Sequence, residues 1–166
     1  MVDAEAGHRV LEVHDCLCLQ VSEEVTLTVY RSVDQLIELA RKLIDEGEHS
    51  VATILLHTAA EVAAESCFWT ALAAAGVEHI RAPLLKVLNN GLKLTSENHR
   101  KLYNVLADDE IQDCRRWSDF TKSWDRRNGI VHGGLQATKS EAESSYAAVT
   151  EVVRHLRERE DSLRST

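Results

Sequence analysis

A long alanine-rich run limits what this chain can fold into more than any other feature. Residues 51–77 are dominated by alanine, leucine and valine, with no proline inside and no glycine before Gly76. Such a run predicts one helix over about residues 49–75, ended by Gly76. Leu55, Leu56, Ala59, Ala60, Ala63, Cys67 and Thr70 trace one stripe along it, and Val62, Trp69 and Leu72 widen the stripe. Alanine carries the lowest helix cost and lets neighbouring helices approach closely. His57, Glu61 and Glu65 interrupt the run, so it reads as a buried or half-buried helix and not as a membrane span. The whole chain holds 1 proline and 7 glycines in 166 residues. A sandwich or barrel needs many more turns than that, so an all-α bundle built as a single domain is expected.

The rest of the chain agrees, apart from its beginning. Residues 8–30 hold short β-prone runs, including Val25, Thr26, Leu27, Thr28, Val29 and Tyr30, with Ser22, Glu23 and Glu24 suited to a turn. They predict a short β-hairpin or extended arm over residues 1–29, which also reads as the end of a larger N-terminal domain. A helical domain is expected over 30–160 and a polar, fraying tail over 161–166. Within the helical domain Val33, Leu36, Ile37, Ala40, Leu43 and Ile44 keep helical spacing over 32–46. Ser32 with Gln35 resembles a capping box there, and Gly47 supplies the stop. Pro83 opens a short helix to Leu88, and Asn89, Asn90 and Gly91 form a turn. Residues 96–106 predict a helix with Leu102, Val105 and Leu106 inward and His99 at the surface. Asp113 is an N-cap candidate for the next helix, which carries Trp117, Phe120, Trp124 and Val131 and stops at Gly133 and Gly134. Thr138 and Glu141 make a capping box for the last helix, whose inward face is Ala142, Tyr146, Val149, Val153 and Leu156. Beyond residue 157 that helix is expected to fray.

Charge and cysteine content narrow the class. The formal net charge is −8, so RNA or DNA would have to meet a local basic patch against an unfavourable overall field. Cys16, Cys18, Cys67 and Cys114 include no Cys-x-x-Cys pair. They read as reduced thiols, and with no apolar signal core at the N-terminus the expected compartment is the cytoplasm, with no membrane partner. No metal or other cofactor is expected. Glu61 and Glu65 lie one turn apart without a Glu-x-x-His companion, and read either as a solvated edge or as partners for an arginine. His14, Cys16 and Cys18 alternate along one presumed strand without a visible fourth ligand, which makes zinc a remote alternative.

The chemistry-bearing stretch is Trp124-Asp125-Arg126-Arg127-Asn128-Gly129-Ile130-Val131-His132-Gly133-Gly134. On a helix, Arg127, Asn128, Val131 and His132 fall within an arc of about 140°, in or beside the arc of the aromatic stripe. A histidine exchanges protons near neutral pH, and an arginine stays charged and matches phosphate oxygens. Together they suit cleavage of RNA by its own 2′-hydroxyl without a metal, with Asn128 orienting the histidine or holding phosphate. The pair alone is cheap: Arg9 and His14 repeat its spacing in the presumed arm, and cations at a helix C-terminus have a purely structural use. The later copy gains from its surroundings. Between residues 113 and 134, Arg115, Arg116, Lys122, Arg126 and Arg127 outnumber Asp113, Asp119 and Asp125, so the segment is mildly basic within an acidic chain.

The Arg127-Asn128-x3-His132 arrangement, late in an all-helical chain and followed by a capped final helix, resembles the signature of the HEPN domain superfamily over residues 30–160. The resemblance implies a helical bundle that forms a homodimer and brings two motifs into one cleft. It implies a metal-independent endoribonuclease of single-stranded RNA, of the kind used in toxin–antitoxin and phage-defence systems, leaving a 2′,3′-cyclic phosphate and a 5′-hydroxyl. Arg127 and His132 would then be catalytic with Asn128 in support, and Arg126 and Arg116 would bind substrate. An antitoxin or a larger N-terminal domain would be the protein partner. Some toxin members carry a tyrosine two residues after the histidine; here that position is Gly134. Other members have lost catalysis, so the alternative is a non-catalytic module for nucleotide or protein binding and dimerisation.

Overall fold

A computed structural model of the chain describes residues 10–13, 17–20, 28–29, 32–88 and 91–165. It forms two compact units, Met1–Ser32 and Val33–Thr166. In the first, the described backbone forms β1 (Val10–Val13), β2 (Leu17–Gln20) and β3 (Thr28–Val29), paired antiparallel in the order β1-β2-β3. Leu11 stands opposite Leu19, and Leu19 opposite Val29. The expected turn at Ser22, Glu23 and Glu24, the residues Val25 to Leu27 and Tyr30, the spaced pair Arg9 and His14, and Cys16 all lie outside the described residues. So do Asn89 and Asn90.

The second unit is all-α: α1 (Val33–Asp45), α2 (His49–Ala74), α3 (Arg81–Leu88), α4 (Glu97–Ala107), α5 (Trp117–Gly133) and α6 (Lys139–Arg164). The alanine-rich helix is the spine, and α1, α4, α5 and α6 all pack on α2. By length and composition α2 could cross a membrane, but 56% of its most apolar window is buried inside the chain. Its buried set is Ala52, Thr53, Leu56, His57, Ala59, Ala60, Ala63, Ala64, Cys67, Phe68, Ala71 and Leu72. The stripe is therefore wider than periodicity predicted and turned toward His57 and Phe68. Val62, expected to widen it, is 42% exposed. Each Leu or Phe held there contributes about 1.5–3 kcal/mol of burial.

Local signals decide several helix ends. Gly47 and Gly76 take left-handed backbone at φ 90° and 69°, and the N–H groups of Glu48 and Val77 turn back to Leu43 and Leu72. Thr138 and Glu141 close the expected capping box reciprocally. Three expectations fail. Asp113 does not cap α5; it ends a 3-10 turn, Ile111–Asp113, and the N-cap position is Arg116, which makes no side-chain cap bond. Ile111 is fully buried and Cys114 nearly so, and anchoring both delays the helix until Trp117. In α4, Val105 is 80% exposed, while Tyr103 and Ala107 are buried. Tyr103 sets that face, because its hydroxyl donates to Asp109 Oδ2 at 2.8 Å. Finally, α6 does not fray beyond residue 157. Arg157 pairs with Asp34 at 2.8 Å, Arg159 donates to the Ala107 carbonyl, and Glu160 accepts from Ser66 and Thr70, so the last turns are tied to α1, α4 and α2.

Candidate functional site

Helix α5 carries the motif, and its rotation decides what each residue meets. Phe120 and Ser123 face inward and are buried; Trp117 and Trp124 are half-buried beside them. Phe120 lies 5.4 Å from the Trp117 ring and 5.2 Å from His57 of α2, so the aromatic stripe is largely covered within one chain. Arg127, one turn after Ser123, is half-buried. Its guanidinium sits over the Trp124 ring at 5.2 Å, and its Nη1 donates to Asn128 Oδ1 at 3.2 Å. These contacts preset the rotamer of a long, flexible cation. His132 is exposed, and among the described residues it has no hydrogen bond or ion pair in its own chain. It lies about 7.5 Å further along the axis and about 140° around it from Arg127. The motif therefore does not converge within one chain: Arg127 and Asn128 are held together, and His132 reaches into solvent.

The other two predicted substrate-binding residues are elsewhere. Arg126 turns to α6, where its Nε lies 3.2 Å from Glu141 Oε1 and its Nη1 donates to Ser145 Oγ at 3.2 Å. Arg116 stands exposed at the start of α5, 3.4 Å from Asp119 and about 16 Å along the axis from Arg127. Neither joins the Arg127–Asn128 cluster.

Sequence reasoning missed His57. It is fully buried, its Nε2 is 2.8 Å from Ser123 Oγ, and its ring meets Trp124 edge-on at 5.4 Å. Burial pushes its pKa down to about 3, the nearby Arg127 and Arg126 charges add to that, and hydrogen bonding to the Ser123 backbone opposes it. The ring is neutral beneath the arginines. His57 Nδ1 and Arg127 Nε are both buried without a hydrogen-bond partner. The signal was available: residues 53, 57, 60, 64, 67 and 71 keep helical spacing, which puts His57 on the buried stripe.

Glu61 and Glu65 separate into two roles. Glu65 Oε1 accepts the Leu92 N–H at 3.3 Å, and it comes so near Gly91 that a Cβ there would lie 2.1 Å away, so it clamps the loop before α4. Glu61 is half-buried, and burial raises its pKa while Arg127 and Lys93 pull it down. Its carboxylate is within electrostatic reach of Arg127. His99, expected at the surface, is half-buried and accepts the Lys93 N–H on Nδ1 at 3.1 Å. Cys67 and Cys114 are free thiols and buried, and burial pushes Cys67 up to about 11, which keeps it protonated and inert. Among the described residues no three His, Cys, Asp or Glu side chains gather closely enough to hold a metal ion.

The α5 end is built for constancy. Gly134 is left-handed at φ 66°, the Leu135 N–H returns to Gly129 and the Gly134 N–H to Ile130. Ser50 Oγ donates to Gln136 and accepts the Ala137 N–H at 2.9 Å, which ties the following loop to the start of α2. No protein-family model, no curated protein and no solved structure compared with this chain matches it.

Proposed function

We propose that the chain is a HEPN-type, metal-independent endoribonuclease that acts on single-stranded RNA at a site shared between two copies. What carries this reading is the difference in setting between Arg127 and His132. The arginine is oriented by Trp124 and Asn128. The histidine at the same helix end is exposed, and its side chain has no hydrogen bond or ion pair among the described residues, as half of a composite site requires. In the proposed reaction the 2′-hydroxyl attacks the adjacent phosphorus. The O2′–P bond forms and the P–O5′ bond breaks. The 2′ proton passes to an imidazole, and the 5′ oxygen takes up a proton as it leaves. Arg127 neutralises the non-bridging phosphate oxygens as their charge grows. A cytoplasmic toxin–antitoxin or phage-defence role, with an antitoxin as partner, follows from the same resemblance.

The test is a cleavage assay on single-stranded RNA in EDTA with wild type and His132→Ala. Wild type cuts and leaves a cyclic phosphate, and the variant loses at least about 100-fold in rate. Equal rates for the two proteins would overturn the proposal. The second reading, a non-catalytic binding and dimerisation module, is favoured by the engagement of Arg126 with Glu141 and Ser145, which removes one cation from any RNA-facing surface. Folded wild-type protein that dimerises but never cuts would support it.

A further inference from the structure

We infer that the groove beside Trp124 is a base-binding subsite for single-stranded RNA, placed next to the cleavage site; this rests on the reading of Arg127 and His132 above. The groove measures about 350 Å³ and is lined by Lys93, Thr95, Ser96, Thr121, Trp124 and Asp125. That volume lies at the low end of the ~300–1,000 Å³ typical of small-ligand sites. An adjoining cavity of about 10 Å³ shares Lys93, Thr95 and Trp124 and reaches Glu61 and Phe120.

Three features fit a nucleobase. The Trp124 ring is fixed from behind, with His57 edge-on and the Arg127 guanidinium over it, while the ring also borders the groove. A rigid, half-exposed indole is a stacking platform for any base. The opposite wall is rigid as well. Leu92 and Leu94 are buried, so the alternation turns Lys93 and Thr95 outward, and Glu65 and His99 hold the Leu92 and Lys93 amides. Lys93 supplies a cation for a phosphate, and the Thr95, Ser96 and Thr121 hydroxyls and the Asp125 carboxylate supply groups for a base edge. Asp125 has no ion pair or hydrogen bond among the described residues. As an acceptor it favours bases with an exocyclic amino group over uracil.

Position ties the groove to the reaction. Thr121, Asn128 and His132 lie within about 40° of one another around α5, so the groove opens on the face that carries Asn128 and His132. Trp124 precedes His132 by about 12 Å of helix rise, one to two nucleotides away. A strand whose neighbouring base stacks on Trp124 passes Asn128 and His132 with its backbone.

The experiment follows tryptophan fluorescence of the intact protein as guanosine 5′-monophosphate is added, with uridine 5′-monophosphate as comparison, and measures RNA cleavage in parallel. Saturable quenching is expected, stronger for the guanosine nucleotide. It weakens about tenfold in Lys93→Glu, and its loss in Trp124→Leu identifies Trp124 as the quenched ring. Lys93 is exposed, so its variant tests the groove without touching the packing behind Trp124. The KM for RNA rises in Lys93→Glu, whereas His132→Ala lowers kcat and leaves quenching intact. No saturable quenching in wild type, or quenching that Lys93→Glu leaves unchanged, overturns the subsite, and His132-dependent cleavage would still uphold the nuclease. Quenching without His132-dependent cleavage overturns the nuclease and leaves a nucleotide site.

Discussion

Two buried polar clusters flank α2, and they are finished differently. Toward α4 and α6, Asp109 accepts from Tyr103 at 2.8 Å and lies 2.9 Å from His155 Nε2, and Tyr103 Oη is 3.6 Å from Cys67 Sγ. Each partner there answers another, and burial raises the Tyr103 hydroxyl and the Cys67 thiol so that both stay protonated. Toward α5, His57 meets Ser123, yet His57 Nδ1 and Arg127 Nε are buried without partners. These are the two such side-chain atoms among the described residues. A native chain satisfies nearly all its buried polar groups, because each orphan costs about 1–3 kcal/mol. The first cluster is what a fold does with polar residues when only stability is at stake. The second accepts that cost at His57 and Arg127.

The sharpest way to break this contrast is acid. An unfolded histidine takes up a proton as pH falls through about 6.5, whereas His57 in the fold does so only near 3. Across that window the unfolded state binds more protons, so stability is complete above pH 6.5 and falls as pH drops toward 3. At about 1.4 kcal/mol per pKa unit the loss reaches about 5 kcal/mol, reduced by Glu61, whose raised pKa acts in the opposite sense. Urea unfolding at a series of pH values measures the slope, and His57→Phe should flatten it; an unchanged slope places its source elsewhere. Next in size, Arg127→Ala should cost cleavage about 100- to 1,000-fold, some 3–4 kcal/mol in the barrier. Its stability should change by less than about 1 kcal/mol, because an orphaned atom leaves with the side chain. A large fall in stability would make Arg127 structural. The reverse pattern is expected in the other cluster. Asp109→Asn should lower stability by about 2 kcal/mol and leave cleavage per folded molecule alone, as thermal unfolding and activity together would show. Smallest is Gly129→Ala. Its Cβ would lie 2.8 Å from Leu135 Cδ1, the free end of a side chain that is 60% exposed. Leu135 can swing aside and alanine favours the helix, so unfolding free energy should move by less than about 1 kcal/mol, upward.

What was legible in the sequence follows the range of the forces involved. Gly47, Gly76, Gly134 and the Thr138–Glu141 pair act within one turn, and the helices end where those residues say. Asp113 carries an equally good local signal and is overruled, because Ile111 and Cys114 are buried by partners far along the chain. Val105 is turned outward for a similar reason: the Tyr103 hydroxyl bonds Asp109, and that contact sets the face of α4. At the candidate site, the motif residues were visible as a spacing. Their separation around α5 and the neutral histidine beneath Arg127 depend on which face of α2 lies against α5. A single histidine among alanines reads as an interruption until its spacing with Ala60, Ala64 and Ala71 is given the same weight as that of any apolar residue.

The alanine spine has a consequence for how this protein can change. Ala52, Ala59, Ala60, Ala63, Ala64 and Ala71 are at most 4% exposed, with helices on several sides. One added methylene group at such positions has no space to enter without displacing a neighbouring helix, at about 1–3 kcal/mol each. Variation is consequently pushed outward, to exposed positions away from this packing. In a saturation library, these buried alanine positions of α2 should stay nearly blank, while tolerated diversity gathers at exposed positions such as Val62, Val87 and Val105.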